Sequence, residues 1–152
     1  MTYRILFEMV NKTTFYTFEI LEKISTAKTK AQKIKLLQEQ NDNWALKDLL
    51  RGTFDDAVQW LLPQGKVPYE PAAPESHPSN WTQHNKKLAY FVKGGQGERM
   101  SVVKREKMFL DILETVHPRD AELLAGMINK KLPIKGVTKK LVQEAFPGLI
   151  LR

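Results

Sequence analysis

Residues 101–116 read SVVKREKMFLDILETV and contain the most regular helical pattern in the chain. Ser101 is a typical helix N-cap, because its hydroxyl can accept a hydrogen bond from a free amide of the first turn. Apolar residues at helical spacing are predicted to face the core, namely Val102, Val103, Met108, Phe109, Ile112, Leu113 and Val116. Lys104, Arg105 and Lys107 are predicted to lie on the polar side. Strand-like alternation is hard to find anywhere, so we predict an all-α fold.

Helical patterns continue towards the carboxyl end. Pro118 suits the first turn of a helix, because proline lacks the amide hydrogen that would be unpaired there. The buried stripe of this helix is predicted to be Ala121, Leu124, Ala125 and Ile128. Pro133 and Gly136 predict a turn, and Thr138 predicts the N-cap of a last helix that ends at Pro147.

Towards the amino end, apolar stripes predict one helix around residues 20–24 and another around residues 31–37. After an Asn/Asp loop, a short helix is predicted from Trp44 to Gly52. Trp44 lies on the apolar face of this helix, so we expect it in the core rather than stacked on a nucleic-acid base.

Thr53 is predicted to cap a further helix that ends before Pro63. Asp55 and Asp56 would lie in its first turn, where acids are favoured by the helix dipole. We therefore interpret this acidic pair as structural rather than as metal ligands. Trp60 lies on the apolar face of the predicted helix and is expected in the core, whereas the sequence leaves the position of Trp81 open.

Five of the eight prolines lie in residues 63–80, a composition that disfavours helix and sheet alike. We predict a loop here, which either wraps the surface or joins two helical halves. A helical stretch is predicted to follow from Ser79 to Gly94. Gly94, Gly95 and Gly97 lack the Lys-Ser/Thr pair of a phosphate loop and indicate a flexible turn.

The chain has 152 residues, of which 42% are hydrophobic and 27% charged, as in an ordinary folded protein. We predict one helical domain over residues 1–152. No apolar run approaches the roughly 20 residues of a membrane-spanning helix, and the first residues do not resemble a signal peptide, so we expect an intracellular protein. The absence of cysteine excludes disulfides and thiolate metal sites.

The net charge of +7 lies entirely in the carboxyl-terminal part of the chain. Residues 1–83 contain 10 basic and 10 acidic residues, whereas residues 84–152 contain 14 basic and 7 acidic ones. Residues 123–143 contain no acid and five lysines: Lys130, Lys131, Lys135, Lys139 and Lys140. This asymmetry predicts a surface that binds a polyanion, although excess charge that only maintains solubility gives the same composition.

The segment Lys135-Gly136-Val137-Thr138-Lys139-Lys140 combines a glycine turn, a helix start and flanking lysines. Free amides at a helix start can hold a phosphate while the lysines add charge. We predict a phosphate-binding turn here. An ordinary capped helix that binds nothing remains the alternative from the residues alone.

No catalytic constellation is found in the sequence. His77, His84 and His117 lack the spacing of a helical zinc pair, so neither a metal site nor a cofactor is expected. Walker, dinucleotide and Gly-x-Ser-x-Gly motifs are absent. We therefore expect a protein without enzymatic activity.

Residues 19–150 resemble the amino-terminal helical DNA-binding domain of ATP-dependent DNA ligases, especially those of tailed bacteriophages. The similarity begins with EILEKISTAKTKAQKIKLLQEQNDNWALKDLLRGTFD at residues 19–55. It ends with the glycine turn at Gly136 and the exit Ala145-Phe146-Pro147-Gly148-Leu149-Ile150. The segments LLPQGKVPY, LAYFVKGG and KREKMFLDILE are also similar to those of a family of small phage proteins.

The resemblance implies binding of duplex DNA across the minor groove, through backbone phosphates and without sequence reading. Gly136, Val137 and Thr138 would be the phosphate donors, with Lys139 and Lys140 adding charge. Lys130, Lys131 and Lys135 would share this basic stretch, and Lys104, Arg105 and Lys107 would form a further basic patch. A Lys-x-Asp-Gly motif is absent, so we do not expect ligation.

The resulting hypothesis is a stand-alone phage accessory protein that binds duplex DNA in the cytoplasm of the infected bacterial host. The alternative is a protein-interaction module that docks on a phage or host replication or transcription protein. Tyr69, with Val67 and the neighbouring prolines, would then form an extended recognition segment. A minor component of the virion is a third possibility.

Overall fold

The computed structural model describes residues 15–152. This range contains helices and isolated bridges but no strand, which confirms the all-α prediction. The α-helices are α1 (Thr17–Ser25), α2 (Lys30–Gln38), α3 (Trp44–Phe54), α4 (Val102–Thr115), α5 (Pro118–Ile128) and α6 (Lys139–Ala145). Short 3-10 helices are formed by Pro74–Ser76, Trp81–Gln83 and Asn85–Tyr90.

Helix α5 lies at the centre of the packing and contacts α1, α3 and α4. Pro118 occupies its first turn, as predicted, and the Nδ1 atom of His117 accepts a hydrogen bond from the amide of Arg119 at 3.1 Å. Helix α2 packs against α1 on one side and against α6 on the other. The start of α2 is thereby brought to the start of α6, although about 110 residues separate them in sequence.

Helix α4 begins at the predicted cap, where the Ser101 side chain accepts a hydrogen bond from the amide of Lys104 at 3.2 Å. Its first turn projects beyond the core, so the prediction that Val102 and Val103 face inward is wrong. Val103 is 78% exposed. Arg105, predicted on the polar side, is instead only 7% exposed.

The helix predicted after Thr53 is absent. Helix α3 continues through Gly52 and Thr53 to Phe54 because the Thr53 hydroxyl donates to the Leu49 carbonyl at 2.8 Å instead of capping a new helix. Asp55 ends α3 and accepts hydrogen bonds from the amides of Ala57, Leu151 and Arg152. The chain beyond Phe54 is therefore tied to its own carboxyl end.

The helix predicted from Ser79 to Gly94 is replaced by two 3-10 helices, because its backbone also binds neighbouring segments. The amide of Ser79 donates to Thr115 O at 3.0 Å, and the amide of Lys93 donates to Gln59 O at 2.9 Å. Trp81 is buried and its indole nitrogen donates to Ala45 O at 3.1 Å.

The proline-rich segment 63–80 contains no α-helix, and hydrogen bonds tie it to the end of α4 at Ser79 and to Asn129, the residue after α5, at Gly65. Val67 and Tyr69 pack against the core, and the amide of Glu70 donates to Glu114 Oε2 at 2.8 Å. Burial raises the pKa of Tyr69 above its ordinary value. This segment is therefore partly covered by the rest of the molecule.

Candidate functional site

The start of α2 contributes three lysines and a capping threonine to one side of the candidate site. The Thr29 hydroxyl accepts a hydrogen bond from the amide of Gln32 at 3.2 Å, and Gln32 Oε1 accepts one from the amide of Thr29 at 3.3 Å. This reciprocal capping fixes the first turn. Lys28, Lys30 and Lys33 lie in or beside that turn.

The other side of the site is the turn before α6. Gly136 has a φ of +80°, a left-handed conformation that glycine adopts without steric cost. Val137 is buried and anchors the turn in the core. The Thr138 hydroxyl accepts a hydrogen bond from the amide of Leu141 at 3.2 Å, so the predicted N-cap is confirmed.

Two hydrogen bonds hold this turn against α1 and α2. The Ser25 hydroxyl donates to Lys135 O at 2.7 Å, and the Lys33 ammonium donates to Gly136 O at 3.3 Å. The carbonyl groups of the turn therefore face the protein. Within residues 15–152, the amides of Gly136 and Thr138 donate no hydrogen bond.

Between the two helix starts lies a concavity of about 290 Å³, which we call the lysine groove. Its lining residues are Lys28, Thr29, Lys30, Lys33, Gly136, Thr138, Lys140 and Leu141. No carboxylate of residues 15–152 lines it. Lys30 is paired with Glu144 at 2.8 Å, and no other lysine of the groove forms an ion pair with a residue in the described range.

Two of the predicted phosphate-binding lysines are engaged elsewhere. The Lys130 ammonium donates to the carbonyls of Gly52, Asp55 and Val58 at 2.9, 2.9 and 2.5 Å, and burial lowers its pKa. Lys139 lies 3.3 Å from Asp56 Oδ2 and donates to Arg152 O at 2.6 Å. Neither residue lines the lysine groove.

The remaining predicted cations fall into two groups. Lys131, Lys135, Lys104 and Lys107 are exposed but do not line the groove. Arg105 is buried and donates to the carbonyls of Leu61, Gly97 and Met100 at 3.0–3.1 Å. Arg105 therefore does not belong to a surface patch, which corrects the sequence interpretation.

The three lysines at the start of α2 that line the groove were not predicted from the sequence. Residues 1–83 are neutral overall, which concealed the local cluster Lys28, Lys30 and Lys33. A signal was available, since these lysines surround a Thr-x-x-Gln capping pattern at the start of a helix.

No group of three or more His, Asp or Glu side chains in the described part of the chain is arranged to hold a metal ion. None of the helices in this part is long and apolar enough to cross a membrane.

The sequence matches the profile of one protein family over residues 20–133. The matched range includes α2 with the three groove lysines, and it ends before the turn at Gly136. A comparison with curated proteins finds no significant match. Since the match covers well over half of the chain, the protein belongs to DUF6433, a family of unknown function.

Proposed function

We propose that this protein binds duplex DNA through backbone phosphates and catalyses no reaction, with the lysine groove as its main contact. The observation that carries the proposal is the convergence of Lys28, Lys33 and Lys140 on one groove, from two helix starts that are far apart in sequence. Within residues 15–152 no carboxylate lines this groove. A concave, positively charged surface attracts a polyanion and raises its rate of association. Thr29 and Thr138 add hydroxyl groups that can donate to phosphate oxygens.

The composition of the groove favours sequence-independent binding. Planar, paired hydrogen bonds to base edges come from arginine, asparagine and glutamine, whereas lysine reaches only the acceptors of guanine. Among residues 15–152, no arginine, asparagine or glutamine lines the groove. Lysine acts instead as a point charge towards phosphate, so affinity should depend on salt more than on base sequence.

The resemblance to the ligase DNA-binding domain supports the same function, because that domain also binds the DNA backbone. The missing Lys-x-Asp-Gly motif supports a binding role without catalysis. We propose that the protein acts as a phage accessory protein in the cytoplasm of the infected bacterial host.

Fluorescence polarisation with a labelled duplex at 50 and 200 mM salt tests the proposal. The wild-type affinity should fall steeply with salt, by about 0.9 logarithmic units per decade of salt for each phosphate contacted. The double variant Lys28→Glu/Lys140→Glu should bind at least roughly tenfold more weakly and show a salt slope lower by about 2.

Lys66→Glu/Lys93→Glu is the matched control, because it changes the net charge equally at exposed lysines outside the groove. This variant should retain most of the wild-type affinity. Equal weakening of both double variants, or no duplex binding at 50 mM salt, would overturn the proposal.

The alternative of a protein-interaction module receives less support. Its best sequence feature, Tyr69, packs against the core instead of projecting as an extended recognition segment. A stoichiometric partner recovered from nuclease-treated lysate would nevertheless favour this alternative over DNA binding.

A further inference from the structure

Trp44 is 60% exposed, although its position in the sequence predicts a core residue. It is the first residue of α3, and the two residues that follow, Ala45 and Leu46, are the ones that enter the core. A large exposed indole at this position contributes little to the packing of the helix. Much of the ring is therefore free to contact a ligand.

The indole is held in place by a buried lysine. The Lys47 ammonium lies 4.1 Å from the centroid of the Trp44 ring and 5.2 Å from that of Phe146. Lys47 also donates to the carbonyl and the side-chain oxygen of Asn41, both at 3.3 Å. The cation thus covers part of the ring, while most of the indole surface stays accessible.

Trp44 borders a concavity of about 350 Å³, which we call the tryptophan groove. Its lining includes Lys47 and Arg51 of α3 and the end of α6 with the residues that follow it, 145–149. Among the described residues, no carboxylate lines it. Arg51 lies two helical turns beyond Trp44, and its side chain is 47% exposed even though Asp55 lies 3.7 Å away.

We propose that the tryptophan groove binds an unpaired base of a nucleic-acid strand, with Trp44 stacked on the base and Arg51 near its phosphate. An exposed indole in a groove that also contains a lysine and an arginine matches a ligand that is flat, aromatic and anionic. Charge favours a nucleotide as the occupant, because the groove presents a lysine and an arginine and, within residues 15–152, no carboxylate.

The base must be unpaired because bases inside a duplex are already stacked on their neighbours. Only a strand end, a nick or a single-stranded segment presents a free base face to a side chain. This inference rests on the proposed function and extends it to DNA with an unpaired region.

Helix α6 connects the two grooves. Lys140 and Leu141 at its start line the lysine groove, and Ala145 at its end lines the tryptophan groove. Seven residues of helix span about 10 Å. A strand whose phosphates lie on the lysines can therefore reach Trp44 with its next unpaired bases.

Binding of a short oligothymidylate by Trp44 variants tests the inference. Trp44→Ala should weaken single-strand binding by roughly five- to a hundredfold, the range for loss of one stacked base, and Trp44→Phe should fall between it and wild type. Blunt duplex binding should change by less than about twofold. The oligonucleotide should quench the wild-type tryptophan fluorescence but not that of Trp44→Phe, because Trp81 is buried and Trp60 half-buried.

Phe15→Ala is the matched control, since Phe15 is an exposed aromatic residue outside the groove. Thermal melts should show that all three variants fold. A strand of abasic nucleotides has the phosphates but no bases, so it tests whether Trp44 acts through the base. This strand should bind wild type and Trp44→Ala with equal affinity.

Several outcomes would overturn the inference. They are an unchanged single-strand affinity in Trp44→Ala, equal binding of the abasic and base-bearing strands, and a Trp44-dependent dimer in sedimentation without DNA. The last would assign the groove to a second copy of the chain. If Lys28→Glu/Lys140→Glu leaves duplex binding intact while Trp44→Ala still weakens single-strand binding, the proposed function fails and the base contact stands.

Discussion

The Lys130 ammonium lies 2.9 Å from the carbonyl oxygen of Gly52, which also accepts a hydrogen bond from the Trp60 indole nitrogen at 3.0 Å. Gly52 is required here because a Cβ atom would lie 2.6 Å from the Trp60 ring and 2.9 Å from Met127. Lys130 thus joins the end of α3 to the segment that follows it. Its positive charge serves the fold and does not face the lysine groove.

Lys130→Met should lower the free energy of unfolding by about 2 kcal/mol, because three carbonyls lose a charged donor. Chemical denaturation measures the loss. Lys131→Met, at the exposed neighbouring position, is the control and should change stability by less than about 0.5 kcal/mol. Duplex affinity should be similar in the two variants, and a selective loss of DNA binding in Lys130→Met would contradict this assignment.

Arg105 is a second basic residue that we expect to stabilise the fold rather than to bind DNA. Arg105→Ala should cost about 2–4 kcal/mol of unfolding free energy, since its guanidinium satisfies the carbonyls of Leu61, Gly97 and Met100. Lys104→Ala, one residue earlier and exposed, should be nearly neutral. Urea denaturation of both proteins checks the difference. Equal stability of the two variants would show that the buried hydrogen bonds contribute nothing.

Capping residues and proline in the sequence correctly predicted where three helices begin. Ser101, Pro118 and Thr138 each occupy the predicted position at a helix start, because caps and proline act through neighbouring backbone groups. The segment after Thr53 was predicted wrongly. Asp55 favours a helix start locally, but the amides of Leu151 and Arg152 bind it in the folded protein.

In the candidate site, too, local sequence signals predicted some features, whereas others depend on tertiary contacts. The turn at Gly136 was identified from residues 135–140 alone, but its partners on α2 depend on packing that no local pattern reveals. Trp44 was misplaced because its spacing is that of a core residue, although helix α3 turns it outward at its first position. Periodicity predicts which residues share a face, and tertiary contacts decide where that face ends.

Gly136→Ala should reduce both stability and duplex binding. A left-handed alanine costs about 1–2 kcal/mol, and its Cβ atom would lie 2.5 Å from the Lys33 ammonium. That lysine must then move away from the turn that it contacts. Gly94→Ala is the control, because Gly94 also has a positive φ of +86° but no atom within 4 Å of an added Cβ. Similar stability losses with weaker DNA binding only in Gly136→Ala are expected, and equal DNA affinities would contradict the role of the turn.

Asp120 should make stability depend on pH. It is 1% exposed, and its Oδ1 atom accepts a hydrogen bond from the amide of Phe18 at 2.8 Å. Burial raises the pKa of Asp120 from its ordinary 3.8 to about 6, against the opposing effect of the backbone amides of Phe18, Thr17 and Trp81. The folded protein therefore binds this proton more tightly than the unfolded chain does.

Since the folded state holds more protons between these two pKa values, the contribution of Asp120 to stability is full below about pH 4 and is lost as the pH rises to about 6. The loss amounts to about 3 kcal/mol at most. Asp120→Asn keeps an acceptor for the Phe18 amide but cannot ionise, so it should remove this loss and be more stable than wild type at neutral pH. Asp111→Asn, at an exposed position, should leave the pH dependence unchanged.

Thermal melts between pH 4 and 7 measure the effect as the difference in stability between wild type and Asp120→Asn at each pH. This comparison is needed because burial also lowers the pKa of His84 and His117. Each of these histidines makes the folded protein less stable as the pH falls, which opposes the effect of Asp120. Both proteins contain these histidines, so their contribution cancels. Parallel stability curves for the two proteins across this range would show that Asp120 is not the titrating group.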